Sequence, residues 1–440
     1  MLGKKIFEGL IVKSQEVMGQ LTDKRLESNA KRYSMQSVGM GGLSIFLMQD
    51  PSFLSHQERL AKGSSNHNFR SLFGCETIPT PNQIRNLLDP VNAAEFEPLY
   101  DNGLKVLEEH GGLRTFEYLK GGFLIALDGV EFQSSDRIHC KNCTVKVHKD
   151  KDGNEKAKYS HSMLAASIVS PEVKEAVALV PEFIVPQDGR QKQDCENAAM
   201  KRWLSKHSER YKNLNPTLLG DDLFSRQPIC EEMLKAGFHF ILTCKPLSHK
   251  TLYEYVLGVS LEKTELELKK RNKTYRYQYN FINQVPIRDG DGALLVNWLE
   301  VREIDKKTGK VLYKNSFITD HPVGPETVHR LAMAGRSRWR IENENNNTLK
   351  TKGYRFEHNY GHGKKNLSMV FASLAVIAFL YHTVLNIVDL MYMKAKEAQG
   401  PRINFFNMIK AVTSILVFKS WSSLMAFLSN PPDPFSLGEF

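Results

Sequence analysis

Apolar positions along the chain first follow a helical period and then switch to the alternation of strands. In "TPNQIRNLLD", Thr80 stands as N-cap and Pro81 takes the first helical position, with Ile84, Leu87 and Leu88 on one face. Residues 1 to about 115 therefore read as a helical N-terminal domain, with "SSNHN" from Ser64 to Asn68 as a loop. From Gly121 the pattern is extended. Phe123–Leu127 is an uninterrupted apolar run, as in a strand buried on both faces, and it leads directly into Asp128. "CTVKVHKD" and "KYSHSMLAASIV" flank a turn at Lys151–Asn154 as a hairpin, and Glu175–Val180 forms a third extended piece. A helix from about Asp194 to Lys206 carries Ala199 and Trp203 at helical spacing. Thr217–Gly220 is a fourth strand ending at Asp221, a helix spans about Gln227–Lys235, and Phe238–Cys244 is a fifth strand.

Three strands, helix, strand, helix, strand is the order of an α/β, ribonuclease-H-like core that still requires a final helix. That helix is delayed. Between about 260 and 320 the chain alternates again in "ELEL", "YRYQYNF", "LLVNWLEVREI" and "VLYKNSFI", which predicts an antiparallel β insertion. "RDGDGA" at Arg288–Ala293 lacks the glutamate that would complete a calcium loop and reads as a hairpin turn. Helical character returns at Pro325, and "GRSRWRIENENNNTLKTKGY" delivers Glu342, so the catalytic core is expected over 116–365 with C-terminal helices over 366–440. Leu367–Leu390 is apolar enough to span a bilayer, its ionisable residues being His382 and Asp389. Ser368, Ala372, Ala375, His382, Asn386 and Asp389 nevertheless fall on one stripe, which predicts a helix packed in a protein core along a small or polar seam, with no membrane span.

The candidate chemistry lies in three acids. Asp128 and Asp221 each stand where a buried parallel strand leaves the sheet, the place where open α/β sheets bind ligands. Side-by-side carboxylates repel and desolvate each other unless a cation joins them, so a divalent metal site is expected. Cleavage of a phosphodiester needs charge stabilised on the attacking and leaving oxygens, which two Mg²⁺ (or Mn²⁺) ions about 3.5 to 4 Å apart achieve. Asp128 is the bridging candidate, with Asp221 and Glu342 as further metal ligands. Asp222 and Glu344 are their closest rivals, one and two positions away. Arg336, Arg338, Arg340 and Lys350 surround Glu342 and are candidate DNA-phosphate contacts, although Arg and Glu also alternate on ordinary solvated helices.

Charge and cysteine usage agree with a reduced, nucleic-acid-binding setting. The formal charge is +10 and the pI about 9.1, which favours an anionic partner. The basic stretch Lys24–Arg32 suits either a grip on DNA or a solvated helix face. Six scattered cysteines and an N-terminus without a long apolar run predict a cytoplasmic protein. Cys140 and Cys143 form half a zinc site, with Cys195 or His161 as possible further ligands, or else two small core residues. His358 and His362 follow the Glu342 segment, as positioning groups near DNA or as members of a glycine-containing loop. Trp298 suits either stacking on an extruded base or a strand core.

"LIALDG", "LLGDDLF" and "RWRIEN" resemble the three catalytic segments of DDE transposases of bacterial insertion sequences, in the branch with a β-strand insertion before the last acid. The resemblance covers roughly Gly121 to Gly363. It implies a ribonuclease-H-like core, dependence on Mg²⁺ or Mn²⁺, cleavage at terminal inverted repeats, strand transfer into target DNA, and a homodimer in the DNA complex. By position the triad becomes Asp128, Asp221 and Glu342. Part of that family carries a Tyr, Arg, Glu, Lys signature around the last acid. Here Arg338 and Glu342 keep its spacing, Gly335 replaces the Tyr, and Leu349 stands where Lys is expected, with Lys350 one place later. Two other readings are a ribonuclease-H-like nuclease or resolvase without strand transfer, and a domesticated DNA-binding regulator with an inactive site.

Overall fold

The computed structural model describes residues 5–25, 32–60, 65–149, 151, 153–186, 195–270 and 272–430. Its centre is a mixed sheet of twelve strands. A two-residue strand β1 (Glu117–Tyr118) pairs with β2 (Gly122–Ser135), which is followed by β3 (Thr144–Lys149), β4 (Glu155–Val169), β5 (Val177–Ala178) and β6 (Glu182–Ile184). β2 and β4 are antiparallel, and β3, β6 and β5 share the far edge of β4. On its other side β2 pairs in parallel with β7 (Thr217–Gly220), and β7 with β8 (His239–Thr243).

β2 is longer than the apolar run that announced it. It continues for fourteen residues, so Asp128 lies inside the strand rather than at its end. The reason is unequal partners: β7 accompanies β2 through Leu124–Ala126, whereas β4 accompanies it from Leu124 to Ser135. Asp128 thus sits two residues past the last β7 pair, with Ala165 opposite it on the β4 side. A notch opens at the carboxyl end of the parallel pair. Of the third extended piece, Glu175–Val180, only Val177–Ala178 is a strand, and β6 lies just beyond it at Glu182–Ile184.

The β insertion forms as expected but does not stand apart. β9 (Glu262–Lys270), β10 (Lys273–Pro286), β11 (Leu295–Asp305) and β12 (Val311–Thr319) make an antiparallel meander. Its last strand pairs back onto β8, from Phe317 opposite Thr243 to Thr319 opposite Ile241, so the insertion prolongs the same sheet.

Helices pack around this sheet. The N-terminal region contains α1 (Ile6–Gly19), α2 (Met35–Leu47), α3 (Phe53–Leu60), α4 (Ser65–Phe73), α5 (Pro81–Leu88) and α6 (Glu97–Glu109). Thr80 caps α5 as its sequence requires, accepting from the Gln83 amide. The "SSNHN" segment is not a loop: α4 begins within it. Tertiary contacts override its weak helix propensity, since the buried Asn68 amide donates to the Thr413 and Leu416 carbonyls and Phe69 is fully buried. In the core, α7 (Glu196–Tyr211) precedes β7, α8 (Gln227–Lys235) links β7 to β8, and α9 (Lys250–Gly258) leads to the insertion. After β12 come α10 (Val328–Arg336), a π-helical turn (Ile341–Asn346) and α11 (Asn347–Thr351). The chain continues through α12 (Leu367–Val388), α13 (Leu390–Gln399), α14 (Arg402–Ile415) and α15 (Trp421–Ser429).

Among the described residues α12 is the one helix long and apolar enough to cross a membrane, and 94% of its apolar window is buried inside the protein. Burial extends around almost the whole helix instead of one seam, because α12 packs against α1, α2 and α6 as well as against β5. Gly103 of α6 allows the close approach: a Cβ there would stand 2.7 Å from Leu380. Asp389 leaves the stripe altogether and caps α13, accepting from the Met391 and Tyr392 amides. Residues from both ends of the chain therefore share one helical layer. Leu380→Ala should destabilise the protein by about 2–5 kcal/mol, since Leu380 is fully buried. Urea unfolding measures this, and a loss below about 1 kcal/mol would contradict the central packing of α12.

Candidate acidic site

The notch beside β2 gathers acids from four elements. Asp128 comes from β2, Asp221 directly follows β7, and Glu342 comes from the π-helical turn. Glu196, in the first turn of α7, is a fourth member that the sequence did not single out. Acids in a first helical turn ordinarily complement the helix dipole, so nothing local marks it. The spatial signal is Gly129: a Cβ there would stand 2.2 Å from the Glu196 carboxylate, so the glycine after Asp128 leaves room for this fourth acid.

Burial, reinforced by charge crowding, governs the titration of the site. Burial pushes the Asp128 carboxyl up to about 7, reinforced by the negative charges of Glu342, Glu196 and Asp221 and partly offset by Arg338. Glu196 is also raised, by burial and by Asp221, with Lys146 opposing. Arg338 sits between two of the acids, donating to Glu342 Oε1 at 2.5 Å and lying 3.7 Å from Asp128 Oδ1. Asn346, one turn beyond Glu342, donates to Asp128 Oδ2 at 2.8 Å. The π turn thus presents Glu342 and Asn346 to the same notch, a use of widened helical turns common at functional sites.

The acids are neighbours without being tightly packed. Among the described residues, neither of the two sets of His, Cys, Asp and Glu side chains whose ligand atoms all lie within 4.8 Å of one another contains them. Arg338 lies between Asp128 and Glu342 in this more open arrangement.

The rivals are used elsewhere. Asp222 accepts from the Lys245 amide at 2.6 Å and from the Ser248 hydroxyl, which anchors the loop between β8 and α9. Glu344 lines a cavity of about 550 Å³ with Lys174, Lys396 and Arg402, which none of the three predicted acids lines.

Of the four basic residues expected to face phosphate, Arg338 alone pairs with these acids. Arg336 pairs with Glu303 of β11 and lies over the Tyr313 ring. Arg340 donates to the Pro171 and Lys174 carbonyls, and Lys350 pairs with Glu357 at 2.6 Å. Glu303, Pro171 and Lys174 are distant in sequence and Glu357 lies seven residues beyond Lys350, outside i,i+4 helical spacing, so local spacing gave no sign of them. The basic stretch Lys24–Arg32 falls largely on 26–31, outside the described residues.

Trp298 is 3% exposed and meets Tyr253 edge to face, which makes it a core residue rather than a base-stacking one. The exposed aromatic near the acids is Trp339, three residues before Glu342 and 40% exposed. His358 is exposed and packs on Tyr360, whereas His362 is buried beside Cys143. Compared with protein-family models and with curated proteins, the chain matches none of them.

One further constellation resembles catalytic machinery and is not. Ser44, His56 and Asp50 form a hydrogen-bonded series, 2.9 Å from Ser44 Oγ to His56 Nε2 and 2.5 Å from His56 Nδ1 to Asp50. All three are at most 1% exposed, so no substrate reaches the hydroxyl. The series, with Arg59 donating to Asp50 at 2.7 Å, fastens α2 to α3.

The raised Asp128 carboxyl makes a pH prediction. Between the ordinary aspartate pKa near 4 and about 7 the folded protein binds a proton that the unfolded chain releases. Stability therefore falls as pH rises through that window. Asp128→Asn should match wild type near pH 4 and exceed it at pH 8, by up to about 4 kcal/mol. Thermal unfolding across pH checks this; an equal or lower Tm for the variant at pH 8 would contradict the crowded, uncompensated site.

Proposed function

We propose that the chain is a DDE transposase: an enzyme that cuts DNA at the ends of a mobile element and joins the freed 3′-hydroxyl to target DNA. The observation that carries this reading is Asp128, two residues beyond the parallel pairing of β2 with β7, near Asp221 directly after β7, with Glu342 linked to Asp128 through Arg338. The spatial order β5/β6, β4, β2, β7, β8, with β2 central and β4 antiparallel to it, supports a ribonuclease-H-like core. A meander between β8 and the Glu342 segment fits the branch with a β insertion.

The donor set fits a hard divalent cation, because it consists of carboxylate oxygens whose crowding raises Asp128. Asp128, Asp221 and Glu342, with Glu196 as an additional donor, would hold Mg²⁺ or Mn²⁺, two ions in the full site, which supply Lewis-acid stabilisation of the attacking and leaving oxygens. The protein's own groups prepare the site. Asn346 orients Asp128 by occupying Oδ2, and Arg338 holds Glu342 toward the same notch while limiting repulsion. Trp339 offers an exposed aromatic face at the rim, suited to a nucleobase. The net charge of +10 favours the approach of DNA.

DNA fragments carrying the sequences that flank the gene are the substrates of choice. Cleavage should require Mg²⁺ or Mn²⁺, and Asp128→Asn and Glu342→Gln should each lower it by roughly a thousandfold or more with DNA binding retained. Glu344→Gln should stay within a few-fold of wild type. Full cleavage in excess chelator would refute the proposal. Cleavage without joining of a 3′-hydroxyl end would point instead to a nuclease or resolvase, and sequence-specific binding without any cleavage to a DNA-binding regulator.

A further inference from the structure

Among the described residues, one four-membered cluster of metal-ligating side chains contains none of these acids. Cys140 and Cys143 come from the loop between β2 and β3, His161 from β4, and His362 from the segment leading into α12. Their ligand atoms all lie within 4.8 Å of one another. Sγ to Sγ is 4.0 Å, too long for a disulfide. Sulfur to nitrogen distances are 3.6 Å for Cys140–His161, 3.3 Å for Cys143–His161 and 3.4 Å for Cys143–His362, and the two Nε2 atoms are 3.2 Å apart. Zinc bonds of about 2.3 Å to sulfur and about 2.05 Å to nitrogen define a tetrahedron. Its edges are about 3.8 Å between sulfurs, about 3.6 Å from sulfur to nitrogen and about 3.3 Å between nitrogens. The observed distances lie close to those edges.

The surroundings are those of ligands. His362 Nδ1 lies 2.9 Å from the Gly363 carbonyl, and donating to it leaves the Nε2 lone pair directed at the cluster. Backbone amides of Asn142 and Cys140 donate to the Cys140 and Cys143 sulfurs at 3.4 Å, which stabilises thiolate. Cys143, His161 and His362 are buried. Two sulfurs and two imidazoles in a tetrahedron suit zinc, and four protein ligands close the site, so its role is structural. We propose that Cys140, Cys143, His161 and His362 bind one zinc ion that fastens the loop after β2 and strand β4 to the segment twenty residues beyond Glu342.

A local tie already runs the same way: the Asn142 side-chain amide donates to the Lys365 carbonyl at 2.7 Å. The metal would make that junction rigid. It joins the β2–β4 hairpin, which carries Asp128, to the chain entering the buried helix α12. Cys195, the other cysteine considered from sequence, is exposed at the start of α7 and outside the cluster.

The test uses the full chain, purified under reducing conditions without chelator, with metal content measured by mass spectrometry and Co²⁺ used as a spectroscopic probe. Wild type and Cys195→Ser should each carry about one zinc per chain. Replacing it with Co²⁺ should give the intense visible bands of a tetrahedral site with two sulfurs and two nitrogens. Cys143→Ser should lose most of the zinc. His362→Cys keeps four ligands, so it should retain metal while its Co²⁺ spectrum shifts to that of three sulfurs and one nitrogen. Zinc retained equally by Cys143→Ser, a wild type that takes up neither zinc nor Co²⁺, or a Co²⁺ spectrum unchanged in His362→Cys would each overturn the assignment.

Discussion

The mismatch between the two neighbours of β2 is the constraint on which the candidate site depends. A parallel partner that stops at Leu219 and an antiparallel partner that continues to Tyr159 leave one flank of β2 unpaired from Asp128 onward. A strand with an unpaired flank exposes backbone polar groups and needs other elements to cover it. The π turn and the first turn of α7 approach this region, bringing Glu342, Asn346 and Glu196 with them. The acidic site is therefore a consequence of how the sheet ends its parallel pairing.

Holding like charges together there is unfavourable, and the protein limits the effect in several ways. Asp128 is raised toward neutrality, Arg338 stands between Asp128 and Glu342, and Asn346 satisfies one carboxylate oxygen. These devices reduce repulsion without abolishing the negative character of the notch. The rest of the chain contributes rigidity: the insertion lengthens the sheet beyond β8, and α12 runs through the helical layer built by both ends of the chain.

Much of this was legible in the residues. Apolar runs and turn signals located β7, α8, β8, β11 and β12 to within a residue, because their periodicity is strong, whereas β9 and β10 run beyond the segments that announced them. The failures have identifiable causes. Ser64–Asn68 looked like a loop because its residues are poor helix formers, yet contacts with Thr413, Leu416 and the aromatic core impose a helix. The basic residues near Glu342 looked free because their partners, Glu303, the carbonyls of Pro171 and Lys174, and Glu357, are not visible in helical spacing.

The sequence by itself determined most of the strands and helices, though not α4 or the length of β2, and it marked Asp128, Asp221 and Glu342 as the acids to watch. Local periodicity and the ends of apolar runs carry that information, since both follow from backbone geometry over a few residues. Only the tertiary structure decided that β2 outruns β7, that Glu196 joins the acids, that Asp222 serves a loop, and that His362 lies against Cys140, Cys143 and His161. Each of these depends on groups brought together from distant positions, His362 lying 219 residues beyond Cys143. Such proximity is set by sheet pairing and core packing, which no local pattern of residues encodes.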